Sequence, residues 1–336
     1  MTLPRSELVD LQKSSFYHCI VRCVRRSFLC GIDTETGQDF SHRKRWIEER
    51  ILHLSTIFSI KVCAYAVMSN HYHAVLYIDE EQANSWEAQE VVERWKMLFP
   101  KNAEIMLNSH KTESEVAKII ALWRERLSSL SWYMRCLNEP IARSSNKEDD
   151  CTGRFWEGRF KSKVILDEGA LLATMAYVDL NPIRSNQACV PEESEFTSIY
   201  ERIKAYSNAL KKHPSLDIDI MQQPKRLMPF SNGINKPLSR GPEIDFKLTD
   251  YFKLVDETGR IIRDDKRGAI PETLTPILTR LNLTPHGWLD MVRDLEQSFF
   301  HAIGSESNLL SFGRKSGFCR LPKGVKVARR CYSNVA

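Results

Sequence analysis

Met68-Ser69-Asn70-His71-Tyr72-His73-Ala74-Val75-Leu76-Tyr77 decides how the rest of the chain is read. After the polar Ser69-Asn70 step, the aromatic and branched apolar residues predict a strand. Side chains at i and i+2 of a strand point to one face. His71 and His73 therefore stand side by side, with two imidazoles aimed at one region, which is a way to hold a divalent cation. An isolated His-x-His is more often a polar strand face with no function, because short motifs recur by chance. The pair gains meaning only with a third ligand and a reacting group, for which Tyr177 and Asn181 are the candidates.

Upstream, Lys61–Met68 predicts a second strand, and the tight break at Ser69-Asn70 makes the two strands an antiparallel hairpin. The histidines then begin the second strand, near a sheet edge. Between residues 41 and 58, Trp46, Ile47, Ile51, Leu54 and Phe58 recur mostly at three- and four-residue steps, with Ser41 as an N-cap, and this predicts a helix. Phe16–Val24 is β-prone and predicts the first strand. Arg22, Arg25 and Arg26 at its end either bind phosphate or solvate a strand end. Residues 1–15 are polar and read as an arm.

Downstream, residues 85–99 predict a helix closed by Pro100. Glu115–Asn138 predicts a longer one ended by Pro140, with a polar loop over Ser144–Asp150. Their aromatic residues, at helical spacing, read as core. The run Gly153–Lys163 interleaves Arg154, Arg159, Lys161 and Lys163 with Phe155, Trp156 and Phe160. Cations for phosphate and rings for bases fit a nucleic-acid-facing surface; the competing reading is a strand with a snorkelling basic face. Phe160–Leu166 is the fourth predicted strand. Asp167-Glu168 then opens a helix with acidic residues in its first turn, and Asn181-Pro182 closes it. Tyr177 and Asn181, four apart, share a face of that helix. From spacing alone, a packing tyrosine and a capping asparagine is the better reading.

The 336 residues are 42% hydrophobic and 27% charged, a globular balance with room for one large or two modest domains. The net charge of +5 is mild, but its distribution is uneven. Arg314, Lys315, Arg320, Lys323, Lys326, Arg329 and Arg330 have no acidic residue among them, which fits a solvated tail or an arm on DNA. The nine cysteines include no Cys-x-x-Cys pair and read as reduced thiols of a cytoplasmic protein. There is neither a signal-peptide pattern nor an apolar run of about 18 residues, so no membrane partner is expected. Residues 214–245, rich in proline and glycine, read as a linker. Residues 246–312 read as a mainly helical unit, and 313–336 as a basic tail.

Taken together, these residues resemble a known family. Met68–Leu76 resembles the HUH motif of single-tyrosine transposases of the insertion-sequence type. Gly153–Ser162 and Tyr177-Val178-Asp179-Leu180-Asn181-Pro182-Ile183-Arg184 resemble the two later blocks of the branch called REP-associated tyrosine transposases. The resemblance spans roughly residues 14–190 and rests on the three motifs in order and spacing. It implies an α+β fold, a ferredoxin-like antiparallel sheet with packed helices. That catalytic domain would cover residues 1–213, with an insertion at about 81–138, ahead of the mainly helical C-terminal extension.

The resemblance also implies a divalent metal, Mg²⁺ or Mn²⁺, on His71, His73 and Asn181, the last standing where many relatives place a glutamine. Tyr177 would be the nucleophile, forming a 5′-phosphotyrosine link. Single-stranded or hairpin DNA would be the partner, contacted by Arg22, Arg154, Trp156, Arg159, Lys161 and Lys163, and the protein would act as a monomer or homodimer. The alternatives are a catalytically inactive DNA-binding regulator of the same fold and a replication or mobilisation relaxase. Many relaxases carry a helicase domain, and this chain has no nucleotide-binding signature.

Overall fold

The computed structural model describes residues 14–24, 30–33, 36–108, 111–212, 223–231, 242–263, 272–317 and 322–333. Strand β1 (Phe16–Arg22) is followed by α1 (His42–Ile57), then by the hairpin β2 (Ile60–Val67) and β3 (His71–Ile78). Five helices come next: α2 (Glu80–Ser85), α3 (Ala88–Leu98), α4 (Pro100–Asn108), α5 (Glu113–Leu127) and α6 (Leu130–Glu148). Strand β4 (Lys161–Ile165) leads to α7 (Glu168–Asp179), α8 (Asn181–Arg184) and α9 (Ser198–Lys212). The remaining elements are β5 (Phe230–Ser231), β6 (Ile244–Lys247), α10 (Leu248–Arg263), α11 (Thr275–Arg280), α12 (Pro285–Ser298), β7 (Ala302–Ile303), α13 (Glu306–Lys315) and α14 (Val325–Cys331).

The main sheet has the order β2-β3-β1-β4-β7. Each of its first four strands runs antiparallel to its neighbours among them, and β7 lies parallel to β4. Register assigns the faces. Arg22 pairs with His71, Ile20 with both His73 and Lys161, and His18 with Lys163. Since cross-strand partners share a face, one face carries His18, Arg22, His71, His73, Lys161 and Lys163. The other carries Tyr17, Cys19, Val21, Tyr72 and Leu76, all buried, under α1 and α6. There the tyrosine hydroxyls are satisfied across the layer: Tyr65 donates to Glu48, Tyr72 to Asn138 and Tyr133 to the Ile51 carbonyl. Ile51 and Leu54 of α1 are fully buried in this layer, each contributing about 1.5–3 kcal/mol.

Two prolines act differently from the sequence expectation. Pro100 starts α4 rather than only stopping its predecessor, in keeping with its fixed φ and missing N–H at a first turn. Pro140 lies inside α6, which continues to Glu148 through the stretch expected as a loop. A mid-helix proline orphans the carbonyl four residues back; here the Cys136 carbonyl accepts instead from Arg50 Nε at 3.1 Å. The long predicted helix is also divided at Ser128-Ser129, where Ser129 caps α6 by accepting from Trp132 N–H.

α7 is buried at every position from Gly169 to Asp179, as befits an apolar helix covered on both sides. The sheet lies on one side and α12 on the other. The C-terminal extension thus shares the core: β7 widens the sheet, and Tyr332 donates to Asp167 at the start of α7. Of the stretch expected as a linker, the Met228 N–H donates to the Val62 carbonyl and β5 pairs with β6, while 214–222 and 232–241 lie outside the described residues. The described part of the basic tail is a packed helix, not an extended arm. α14 buries Val325, Ala328 and Cys331, and Arg329 is paired with Glu306. Its apolar residues recur at three-residue steps, so its charges occupy one side only. Among the described residues, no helix is long and apolar enough to cross a membrane.

Candidate functional site

β3 turns His71 and His73 toward α7, with ring centroids 4.9 Å apart. His71 Nδ1 is 2.6 Å from Asn70 Oδ1. An amide oxygen only accepts, so this bond puts the proton on Nδ1 and the lone pair on Nε2. His73 is fully buried, and its Nδ1 is 2.9 Å from Nε2 of His18, which stacks on it from β1. His73 Nε2 has no hydrogen-bond partner. Burial pushes His18 down to about 3, with Lys163 adding to it, and His71 down to about 4, with Arg22 adding. Burial, then His71 and His18, hold His73 well below the ordinary histidine value. All three rings are therefore neutral at pH 7, the form that can ligate a metal.

α7 brings Tyr177 to the same place. Its ring lies 5.7 Å from that of His73 and 6.0 Å from that of His18, and it is 6% exposed. The Arg184 guanidinium sits 3.9 Å over the ring on the other side, a stacking contact that lysine would not reproduce. The hydroxyl donates to Glu296 Oε1 at 2.9 Å. Burial pushes the phenol up to about 12; Arg184 opposes this and Glu296 adds to it.

Glu296, near the end of α12, joins the cluster. Oε1 is 3.6 Å from His73 Nε2, and Oε2 accepts from Arg22 Nη2 at 2.8 Å. Burial alone would raise its carboxyl, but Arg22, His18, the Tyr177 hydroxyl and Lys163 together hold it below its ordinary value. Lys163 donates to the carbonyls of Leu295 and Glu296, at 3.4 and 3.1 Å. It thereby joins the Phe299 N–H on the Leu295 carbonyl, satisfies that of Glu296 and ties the turn that carries the carboxylate to β4. Burial lowers Lys163 to about 8, against the pull of Glu296.

The structure therefore gathers Tyr177, His71, His73, Arg22 and Lys163. Asn181 is adjacent but committed elsewhere. α7 ends at Asp179, and Asn181 opens α8, with its Oδ1 accepting from Arg184 Nη2 at 2.7 Å and its Nδ2 buried without a partner. Arg154, Arg159 and Lys161 are exposed. Trp156 is half-buried: its backbone bridges to Cys23, its indole N–H donates to the Asn138 carbonyl at 3.0 Å and its ring meets Tyr72 edge-on, while it lines a surface cleft beside Arg159. Lys163 points inward, not along an exposed strand. Arg25, Arg26 and Arg320 lie outside the described residues.

Sequence reasoning missed His18, Arg184 and Glu296 as site residues. His18 carried a weak signal, sharing strand parity with Arg22. Glu296 carried none, being 119 residues from Tyr177 on the polar side of an amphipathic run. The two β3 histidines fit a metal: each Nδ1 is engaged, and His73 Nε2 is buried without a partner. Among the described residues, no three His, Cys, Asp or Glu side chains are already arranged around one ion position.

No family model matches the chain, and no curated protein matches it. Among solved structures it is similar to a REP-associated tyrosine transposase bound to a REP hairpin. The two are 12% identical with a TM-score of 0.33, over 61% of this chain and 84% of that one, a distant structural relationship.

Proposed function

We propose that this protein cleaves and rejoins single-stranded DNA through a tyrosyl intermediate, with Tyr177 as nucleophile and a divalent cation, Mg²⁺ or Mn²⁺, at His71 and His73. One observation carries the reading: the Tyr177 hydroxyl and the unpartnered, buried Nε2 of His73 converge on one carboxylate oxygen, at 2.9 and 3.6 Å. The order β2-β3-β1-β4, all antiparallel, supports a ferredoxin-like sheet beneath that site. Exposed Arg154, Arg159 and Lys161 supply charge for a DNA backbone.

A cation held by the histidines would offset charge on the scissile phosphate. The chain's own residues do the rest. Arg184 fixes the Tyr177 ring from above, and Glu296 orients the hydroxyl. Arg22 and Lys163 place positive charge beside the reacting phosphate. The phenol oxygen forms a bond to phosphorus as the bond from phosphorus to the 3′ oxygen breaks. The phenol proton is balanced by the proton gained at that oxygen, leaving a 5′-phosphotyrosine and a free 3′-hydroxyl. Because the link keeps the ester bond, a second 3′-hydroxyl can reverse the step and join strands.

The test is incubation with labelled single-stranded hairpin DNA and Mn²⁺, followed by denaturing gels and peptide mapping. A covalent adduct at Tyr177 is expected, absent in Tyr177→Phe. An adduct that persists in Tyr177→Phe places the nucleophile elsewhere. Hairpin binding with no adduct in the intact protein points instead to a DNA-binding regulator.

A further inference from the structure

The cation site proposed above lacks a third protein ligand. We propose that Glu296, delivered by α12 from the C-terminal extension, is that ligand; the inference rests on the reading of His71 and His73 as a cation site.

Asn181 is the poorer candidate as it stands. Its neutral Oδ1 already accepts a bond from charged Arg184, and its unpartnered atom is an amide nitrogen, which has no lone pair to give. Glu296 is the better one: its oxygens also accept, Oε1 from Tyr177 and Oε2 from Arg22, but an ionised carboxylate keeps further lone pairs and brings a negative charge. His73 Nε2 is 0% exposed, has no hydrogen-bond partner and faces Glu296 Oε1 at 3.6 Å. That separation is too long for a hydrogen bond. Two donors bound to one cation at about 2.1 Å stand roughly 3.0–3.4 Å apart for angles between octahedral and tetrahedral. A few tenths of an ångström of closure would therefore seat an ion between them.

The surroundings of all three donors also follow the pattern of metal sites, in which the atom not facing the ion is tied down. His71 Nδ1 is bonded to Asn70, His73 Nδ1 to His18 and Glu296 Oε2 to Arg22. Lys163 on the Leu295 and Glu296 carbonyls secures the backbone that carries the carboxylate. Hard cations such as Mg²⁺ and Mn²⁺ favour oxygen donors. Two neutral imidazoles are a weak seat for them, and one carboxylate supplies both the oxygen and the charge.

The same carboxylate, bonded to Arg22 and Tyr177, also sits where a substrate phosphate would bring its own charge. A plug and a ligand respond oppositely to its removal, so the experiment separates them. Full-length protein without DNA is titrated with Mn²⁺ chloride by calorimetry, and bound Mn²⁺ is followed by electron paramagnetic resonance. The intact protein is expected to bind one Mn²⁺ with a perturbed spectrum. Glu296→Gln and Glu296→Ala are expected to lose at least tenfold in affinity, Glu296→Asp to lose less, and Asn181→Ala to stay within twofold. Circular dichroism checks that each variant is folded. If His71→Ala and His73→Ala bind Mn²⁺ as well as the intact protein, the cation site itself is misplaced. If those two lose binding while folded Glu296→Gln and Glu296→Ala bind as well or more tightly, the histidine site stands, Glu296 is a plug, and this proposal falls.

Discussion

In the proposed reaction Tyr177 starts as a poor nucleophile. With the phenol pushed up to about 12, roughly one molecule in 10⁵ is phenolate at pH 7. For the proposed attack, positive charge nearby would have to make up that deficit, and Arg22, Lys163 and Arg184 are the cations close enough to do so. Two residues on, Asp179 faces away from this site into a different buried cluster. It accepts from the Ser198 hydroxyl, the Ile199 N–H and the Tyr251 hydroxyl. Burial raises its carboxyl to about 6, against these bonds and Arg202. The folded state therefore holds a proton between about pH 4 and 6 that the unfolded chain has released, so this group's contribution to stability falls as pH rises through that window and is flat above it. Urea unfolding of the intact protein and Asp179→Asn at about pH 4.5 and about pH 7 measures the effect. The Asn variant should gain about 2 kcal/mol relative to the intact protein at the higher pH. The pairing of His71 with His73 was legible because strand parity alone places it. The burial of Asp179, and its partners on α9 and α10, was not, because nothing local to Tyr177–Arg184 specifies what packs against that helix.

At the scale of single elements, α6 shows why a proline misled the reading of the sequence. Pro140 looks like a helix stop because it removes a donor and orphans the Cys136 carbonyl. The helix runs on because Arg50 of α1, 86 residues away, supplies the missing donor. No window around residue 140 contains that information, whereas Trp46–Phe58 and His71–Ile78 carry their own periodicity and were legible as α1 and β3. The compensation can be measured as a double-mutant cycle by chemical denaturation. Arg50→Ala should cost about 1–2 kcal/mol by leaving the carbonyl without a partner. Pro140→Ala restores an intrahelical N–H at that position. In the Pro140→Ala background, Arg50→Ala should cost distinctly less, and equal costs in both backgrounds would show that the Arg50 bond is not filling the gap left by the proline.

Across the whole molecule, α7 is the shared wall. One side of it meets the sheet that carries the histidines, and the other meets α12, which carries Glu296. The position of α12 is set in turn by α14. Gly287 lies against the Cys331 backbone so closely that a Cβ would fall inside it, and the Thr284 hydroxyl accepts from the Gly287 N–H in the first turn of α12 while the Thr284 N–H reaches the Cys331 carbonyl. A side chain at Gly287 therefore forces α12 and α14 apart, because backbone cannot yield as a flexible side-chain tip does. Lys163 and Arg22 hold the far end of α12, beyond a break in its helical geometry at Asp294, so a displacement at Gly287 that is carried past this break would move the carboxylate off its approach to His73. Gly287→Val should accordingly destabilise the fold by about 1–3 kcal/mol, the usual range for overpacking. It should also reduce the stabilisation that added Mn²⁺ gives in thermal unfolding, although residue 287 lies eight positions before the nearest site carbonyl and the three atoms nearest a Cβ there all belong to Cys331. A Gly287→Val protein that is destabilised yet gains as much from Mn²⁺ as the intact chain would show that the C-terminal helices support the sheet without completing its site.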